Sequence, residues 1–472
     1  MDDQPGLVAR AALRLTAWTE RWIPDAFVFA LLATLFVFIA AIIWTPSSPL
    51  QVIDAWGNGF WDLIAFTLQM SLIIITGHVL ATSAPMARAI RGIASWPSTP
   101  RGAVALVAFF AMFSSWFNWG FSLIFSAVLA RAVAQRVSGV DYRALAAASM
   151  LGLGSIWAQG LSGSAALQMA TPGALQPQIR DIVAAGGIVP GGIIPFSDTI
   201  FLWQSFVSVM IEMIVVTLVM WLATPPPAKA KTAAMLGVDL GSGGLGEPTR
   251  PSGPIPPGAW FEHSALLSLV LVAFGTIYLI RYFNRAPEPL NAITINIINF
   301  AFLIVGVLLH RTPARLMHAV QGAVPAVWGV ILQFPLYAGI AAIITTTHLN
   351  ERLANAFVSI STPQSFPAVV AIYSAVLGVF VPSGGSKWVI EAPYVIAAAH
   401  ELKVHLGWVV ASYDLGEALA NLLQPFWMLP TLAMLGLRAR DVMGYTFIVA
   451  LVLGPVVLLL VTLLAATLPY PL

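Results

Sequence analysis

The sequence predicts an all-α polytopic membrane protein built from two halves of opposite orientation. Of its 472 residues, 59% are hydrophobic and 9% are charged, whereas a soluble domain carries about 25% charged residues. Apolar runs long enough to cross a bilayer recur along the whole chain. Two of these runs are interrupted by polar and glycine-rich turns, one in each half. Together these features indicate a chain that folds within a bilayer.

The apolar windows predict helices of membrane-spanning length. Their approximate ranges are 24–44, 60–82, 145–170, 199–222, 264–283, 293–309, 323–345, 406–435 and 443–467. Two further windows, 104–134 and 367–400, are apolar but broken near the middle. Each holds about 30 residues, which suits a re-entrant hairpin of two half-helices better than one tilted span.

The break in the second window is the turn Val381–Trp388, which reads Val-Pro-Ser-Gly-Gly-Ser-Lys-Trp. Pro382 removes a backbone donor, and the two glycines after Ser383 lower helix stability. The first window is broken by the polar stretch 114–120. Backbone groups freed at membrane depth must be satisfied by protein, water or a bound solute. Both turns are therefore predicted to belong to a binding site.

The positions of the arginines predict the orientation of the chain, because cytoplasmic loops are enriched in basic residues. They predict a cytoplasmic N-terminus, a hairpin at 104–134 entering from the cytoplasm, a hairpin at 367–400 entering from the periplasm, and a periplasmic C-terminus. The arginines that carry this prediction are Arg10, Arg14, Arg21, Arg88, Arg91, Arg101, Arg131, Arg136, Arg143, Arg311, Arg315, Arg438 and Arg440.

Three polar landmarks recur in the same order in each half of the chain. They are 49 and 41 residues apart in the first half and 50 and 41 apart in the second: Gln69, Asn118 and Gln159, then Gln333, Ser383 and Gln424. Such an inverted repeat is typical of secondary transporters. The predicted divisions are a first half at 1–222, a flexible cytoplasmic linker at 223–262 and a second half at 263–472.

Two further helices, 145–170 and 406–435, are predicted to be discontinuous because Gly or Pro interrupts each. The N-termini of half-helices suit a carboxylate, and their C-termini and side-chain oxygens suit Na⁺. The predicted substrate-binding residues are Asn118, Ser162, Ser164, Thr171, Ser383, Gly384, Gly385, Lys387 and Asn421. Those predicted for a coupling ion are Ser114, Glu417 and Gln424. For any single Gly or Ser in these breaks, the alternative role is to allow close packing between helices.

Lys387 and Glu391 are four residues apart and can meet on one helix face. Lys387 is either a counter-ion for an anionic solute or the partner of Glu391 in a self-neutralising pair. Glu417 either carries a coupling cation or is a buried structural carboxyl. Asp414 is expected to lie at shallower depth, and Glu212 is expected to be structural and away from any break.

Several classes of function are excluded by what the sequence lacks. There is no Cys, so thiol catalysis and thiolate metal sites are impossible. The net charge of +2 and the absence of basic stretches interleaved with aromatics argue against nucleic-acid binding. No Ser/His/Asp pattern, HExxH or P-loop is present, so an enzyme is not expected. Neither a metal nor a cofactor is predicted beyond a coupling H⁺ or Na⁺.

The preferred interpretation is therefore a secondary transporter, and a channel for anions or solutes is the main alternative. A channel needs a continuous polar stripe or a ring of charge, whereas this sequence offers isolated breaks. A membrane-embedded enzyme would need a recognisable nucleophile or metal set. A purely structural scaffold leaves the glycine-broken segments unexplained.

Several of these segments resemble the short-chain fatty acid transporters of the acetoacetate and butyrate permease type. The matching stretches are Trp56–Trp61, Thr76–His78, Asn118–Phe121, Ser162–Ser164, Ala170–Gly173, Ile293–Asn296, Gln333–Pro335, Val381–Trp388, Gly416–Glu417 and Gln424–Trp427. The family pattern often has Gly at the position of Ser386, His at that of Lys387 and an uncharged residue at that of Glu391, so this chain departs from it there.

The resemblance implies a multi-pass carrier of the bacterial inner membrane that binds small monocarboxylates such as acetoacetate or butyrate. It also places the chain in the wider ion-transporter group, whose members resemble one another in having two opposed hairpins. Several members are dimers, so the resemblance implies a homodimer within the lipid bilayer.

Overall fold

The fold is known from a computed structural model, and within its described residues the chain forms helices and turns without any β-strand. The described residues are 26–62, 64–171, 177–184, 187–241, 256–287, 289–349, 359–380 and 384–472, with the single residues 7, 10, 11, 14 and 352. The predicted all-α fold is confirmed.

The helices fall on either side of the polar segment 223–262. Those before it are α1 (Ala26–Trp44), α2 (Pro49–Gly59), α3 (Ile64–Ala81), α4 (Ala84–Ile93), α5 (Pro100–Phe117), α6 (Trp119–Arg136), α7 (Tyr142–Ala148), α8 (Ser164–Met169), α9 (Pro177–Val183) and α10 (Trp203–Ala223). Those from its end onward are α11 (Pro257–His263), α12 (Leu266–Arg285), α13 (Ile295–His310), α14 (Pro313–Ala323), α15 (Trp328–Thr346), α16 (Phe366–Phe380), α17 (Gly384–Leu402), α18 (Leu406–Asn421), α19 (Leu429–Leu435) and α20 (Ala439–Ala465).

Four helices in the described ranges, α5, α10, α12 and α20, are long and apolar enough to cross a bilayer. Two bent pairs raise the number to six: α3 with α4, bent by 71°, and α14 with α15, bent by 52°. Large apolar side chains such as Leu269, Phe274 and Ile277 on α12 are exposed, as expected for a surface that faces lipid. The chain is a multi-pass membrane protein.

The predicted span 145–170 is not one continuous helix. It consists of α7, a series of turns, a 3₁₀ turn at Ile156–Gln159, and α8. A Cβ atom at Gly152 would meet the backbone of Ala111, and one at Gly160 would meet the backbone of Trp116. Its glycines therefore let this broken segment pack directly on α5. The predicted discontinuity is confirmed.

The predicted span 406–435 is broken as well. Helix α18 ends at Asn421, and a 3₁₀ turn at Phe426–Met428 leads into α19. Within the break, Gln424 Oε1 accepts a hydrogen bond from the backbone N of Phe426 at 2.6 Å. A side chain thus satisfies a donor that the interrupted helix leaves free.

Both broken windows fold back on themselves as antiparallel helix pairs. In the first, Ser122 Oγ on α6 donates to the carbonyl of Ala111 on α5 at 2.7 Å, and each arm has 18 residues. In the second, the hydroxyls of Tyr373 on α16 and Tyr394 on α17 are 2.8 Å apart. Residues 381–383 at its turn lie outside the described part of the chain. The face from which each pair enters stays a prediction.

The described part of the predicted linker, 223–241, packs against the helices of the first half. Lys231 N donates to the Asp141 carboxylate at 3.0 Å, and Arg131 Nη2 donates to the carbonyl of Asp239 at 2.8 Å. This stretch is therefore anchored rather than extended. Residues 242–255 of the predicted linker lie outside the described residues.

The crossing of α3 and α6 gives a first prediction. A Cβ at Gly77 would lie 2.6 Å from Phe121 N, so Gly77→Ala should force the helices apart and destabilise the protein by about 1–3 kcal/mol. Gly92→Ala is the matched control, because nothing lies within 4 Å of a Cβ there. The thermal unfolding midpoint in detergent measures both. Equal midpoints for the two variants would contradict the close crossing.

Candidate functional site

One short segment, residues 162–164, directly precedes and begins α8 and lies between the two helix pairs. Ser162 Oγ accepts a hydrogen bond from Trp119 N, at the turn between α5 and α6, at 3.0 Å. Ser164 Cβ is 3.4 Å from the position of a Cβ at Gly384, where α17 begins. The broken helix of the first half therefore contacts the first helix pair at its turn and approaches the second at the start of α17.

Asn118 shapes the first of these turns. Its backbone is extended, with φ −160°, and its Oδ1 accepts a hydrogen bond from Phe121 N at 2.9 Å, which caps α6. The residue is 0% exposed. Its Nδ2 has no hydrogen-bond partner among the described residues. A buried amide donor thus stands next to Ser162.

The start of α17 is held by hydrogen bonds to its carbonyl groups. Tyr413 Oη donates to the carbonyl of Gly384 at 2.7 Å, and Gln168 Nε2 donates to that of Gly385 at 2.7 Å. A Cβ at Gly384 would be 2.9 Å from Trp157 Cη2, so a larger residue would force Trp157 to shift. Ser383, the predicted ligand just before it, lies outside the described residues.

Asp414 occupies the N-terminus of α8. Its carboxylate accepts hydrogen bonds of 3.1–3.2 Å from the backbone N of Ala165 and of Ala166. The residue is 0% exposed, and its depth in the bilayer stays a prediction. The amides that were predicted to receive a solute carboxylate at this half-helix already bind a carboxylate of the protein.

Lys387 is the centre of a buried charged cluster formed by Lys387, Glu391 and Glu417. Its Nζ donates to the carbonyl and to the Oγ of Ser374, each at 2.7 Å. It lies 2.9 Å from Glu417 Oε2 and 3.5 Å from Glu391 Oε1. The predicted pairing of Lys387 with Glu391 is thus observed, but Glu417 is the nearer partner.

The two glutamates of this cluster lie close to Lys387 but make no well-aligned hydrogen bonds. Both Glu391 and Glu417 are 0% exposed, and none of their four carboxylate oxygens has a hydrogen bond of good geometry within the described residues. Two buried carboxyl groups therefore lie beside one ammonium. Buried carboxylates are costly unless paired or neutralised, and this cluster has more carboxyl groups than ammonium groups.

The other predicted ligands make hydrogen bonds close to their own positions. Ser114 Oγ donates to the carbonyl of Phe110 at 2.7 Å, and Thr171 Oγ1 donates to that of Leu167 at 2.6 Å. Gln424 Nε2 donates to Asn421 Oδ1 at 2.9 Å. Within this structure these four side chains stabilise the helix ends rather than presenting free groups.

Glu212 lies beside the first broken helix, contrary to the expectation that it would be remote from any break. Its Oε1 accepts hydrogen bonds from Gln159 Nε2 and from Ser208 Oγ, each at 2.8 Å. Gln159 belongs to the 3₁₀ turn of that helix. Glu212 therefore tethers the turn to α10.

Three groups at this site carry no prediction from the sequence: Ser374, Tyr413 and Gln168. Each acts through a hydrogen bond to a residue on another helix. Asp414 and Glu417 are three residues apart in the sequence, a spacing that places both carboxyl groups on one helix face.

The described residues hold no group of three or more His, Asp or Glu side chains arranged to bind a metal ion. What the described residues bring together is the turn between α5 and α6, the start of α17, one buried amide donor without a partner and a buried ion pair.

Comparisons with known proteins agree with this arrangement. The family described as Short chain fatty acid transporter matches residues 7–464. A protein of Escherichia coli K12, provisionally named short-chain fatty acid transporter, is 37% identical over 97% of this chain and 100% of its own length. A Haemophilus influenzae protein with the same provisional name is 33% identical over 95% of this chain and 98% of its own.

Two solved structures share the fold. The YdaH transporter of Alcanivorax borkumensis superposes with a TM-score of 0.51 at 16% identity, covering 97% of this chain and 98% of its own. Neisseria gonorrhoeae MtrF, described among antimetabolite efflux pumps, gives a TM-score of 0.50 at 11% identity over the same shares. At these identities the likeness concerns the fold alone.

The cap on α8 gives a second prediction. Asp414→Ala removes the acceptor of two backbone N–H groups and should lower the free energy of unfolding by about 1–3 kcal/mol. Asp62→Ala is the control, because Asp62 is exposed, and it should stay within about 0.5 kcal/mol of the unsubstituted protein. Thermal unfolding in detergent checks both. If Asp414→Ala unfolds at the same temperature as Asp62→Ala, the cap does not stabilise the fold.

Proposed function

The chain belongs to the short chain fatty acid transporter family, and from that premise we propose the following function. The protein is a secondary transporter of short-chain fatty acids or related small monocarboxylates, such as acetoacetate and butyrate. It works by alternating access in the bacterial inner membrane. The transport is coupled to a cation, either H⁺ or Na⁺.

One observation supports the location of the solute site: segment 162–164 contacts the turn between α5 and α6 and approaches the start of α17. Ser162 contacts the first at Trp119 N, and Ser164 approaches the second at Gly384. In secondary transporters, substrate sites lie where broken helices meet near the bilayer midplane. This supports a single solute site around segment 162–164.

Two free polar groups suit the carboxylate of the solute. Ser164 is half-buried, and no hydrogen bond from its hydroxyl to another described residue is formed. Asn118 Nδ2 is buried and free among the described residues. A carboxylate accepts hydrogen bonds from hydroxyl and amide donors, and apolar walls such as Trp157 and Trp119 would contact a short alkyl chain.

Coupling to a cation follows from the charge of the solute. Moving one negative charge inward against the membrane potential costs about 2.3 kcal/mol per 100 mV. A proton or Na⁺ that travels with the carboxylate removes this cost. The excess of buried carboxyl groups around Lys387 supports a role for cations in the cycle.

The order of the helices supports a mechanism of alternating access. In each half an antiparallel helix pair is followed by a broken helix: α5–α6 by α7–α8, and α16–α17 by α18–α19. This order supports inverted halves at 1–222 and 263–472, with hairpins entering from opposite faces. A cytoplasmic N-terminus, a periplasmic C-terminus and a homodimer complete the proposal.

Uptake into proteoliposomes tests the substrate. Purified protein should accumulate labelled butyrate or acetoacetate when an inward H⁺ or Na⁺ gradient is imposed, and protein-free liposomes should not. The uptake should saturate with substrate concentration, whereas a channel would show much higher, non-saturating flux. The absence of transport of both acids with either gradient would remove the substrate assignment.

The Ser164 hydroxyl gives a further prediction. Ser164→Ala should raise KM for the carboxylate about 2- to 10-fold, because one hydrogen bond to the solute is lost, with little change in the maximal rate. Ser95→Ala is the control, since its hydroxyl bonds only to the exposed carbonyl of Gly92. Initial uptake rates over a range of solute concentrations give both constants. An unchanged KM in Ser164→Ala would exclude this hydroxyl as a ligand.

A further inference from the structure

We propose that the Lys387 ammonium is a tethered cation that fills the place a coupling metal ion would take, so that this chain works without Na⁺. The inference deepens the proposed function and, for transport itself, rests on it. It assigns to Lys387 the choice of coupling ion rather than contact with the solute.

The surroundings of Lys387 Nζ are those of a bound alkali cation. A backbone carbonyl and a hydroxyl, both from Ser374, stand at 2.7 Å. Carboxylate oxygens of Glu417 and Glu391 stand at 2.9 and 3.5 Å. Hard cations bind oxygen ligands of these types, and transporters use carbonyls at helix breaks in the same way for Na⁺.

The ammonium is enclosed by groups of the protein. It carries three N–H groups, and the two oxygens of Ser374 together with Glu417 Oε2 are its three nearest acceptors. The ring of Tyr413 closes another side, with its centroid 4.6 Å from Nζ. Lys387 is 1% exposed. A solute carboxylate would have to displace a protein group in order to reach it.

The position of the cluster links the ammonium to the moving parts of the proposed mechanism. Ser374 is on α16, Lys387 on α17 and Glu417 on α18, so one cation joins three helices. A Cβ at Gly378 or at Gly384 would lie against the Glu417 side chain. The ion pair therefore stands directly at the turn between α16 and α17, where a transported cation would act on both arms.

Removal of the ammonium should leave a site for Na⁺. In Lys387→Ala the space vacated by the side chain is lined by the Ser374 oxygens and by carboxylates that lack their counter-ion. A small cation that enters this space would restore the balance of charge. A ligand that binds only the folded state stabilises it by RT ln(1 + [L]/Kd), so the unfolding temperature keeps rising with the ligand concentration.

The test is a thermal unfolding titration of the purified full-length protein with NaCl, using choline chloride to keep ionic strength constant. The unsubstituted protein and Lys403→Ala should unfold at the same temperature in both salts. Lys403 is the matched control because it lies just after the same helix and its ammonium stands over the Tyr470 ring, 4.7 Å from the centroid. Lys387→Ala should show a Na⁺-specific rise of about 2 °C or more that grows with the NaCl concentration.

A second variant keeps the proposal testable if Lys387→Ala alone does not fold. Removing one partner of a buried ion pair is strongly destabilising, so the second variant combines Lys387→Ala with Glu391→Gln, which removes one negative charge. The double variant should also respond to Na⁺. Specific stabilisation of the unsubstituted protein by Na⁺, or a folded Lys387→Ala protein without any Na⁺ response, would overturn the proposal.

Uptake measurements distinguish failure of this inference from failure of the proposed function. Initial uptake by the unsubstituted protein should change less than 2-fold when choline replaces Na⁺. Uptake that requires Na⁺ would overturn the tethered-cation proposal while leaving the transporter intact. Absence of uptake in both salts would instead remove the proposed function, and the unfolding titration would still decide the role of Lys387.

Discussion

The structure depends on one constraint: a helix that breaks inside a bilayer must satisfy its freed backbone groups within the protein. Three of the breaks meet this requirement through a specific side chain. Asn118 caps α6, Asp414 accepts from the first amides of α8, and Gln424 accepts from Phe426 N. Without these contacts the breaks would cost several kcal/mol each.

The same constraint limits what remains for a solute. Most of the polar side chains near the breaks are already used by the backbone, and Lys387 is held by Ser374 and Glu417. Free groups remain at Ser164 and at the amide of Asn118. The site is thus defined less by the number of polar residues around it than by the few whose hydrogen-bonding capacity is not consumed. This distinction separates residues that build the turn from residues that can recognise an acid.

The sequence predicted the breaks well because their causes are local. Gly160, Gly163 and Pro425 lower helix stability through their own backbone properties, and the hydropathy of the flanking residues indicates the membrane. It predicted the partners poorly because these are distant: Asp414 bonds to amides about 250 residues away. Lys387 could be recognised as buried, but nothing in its spacing from Glu417 showed that this carboxylate, rather than Glu391, lies nearest.

The cap of Asp414 on α8 has a mechanical consequence. It joins a helix of the first half to a helix of the second by hydrogen bonds of 3.1–3.2 Å, and Gln168 adds another across the same boundary. Any displacement that separates the two halves along the boundary between them would have to break these hydrogen bonds.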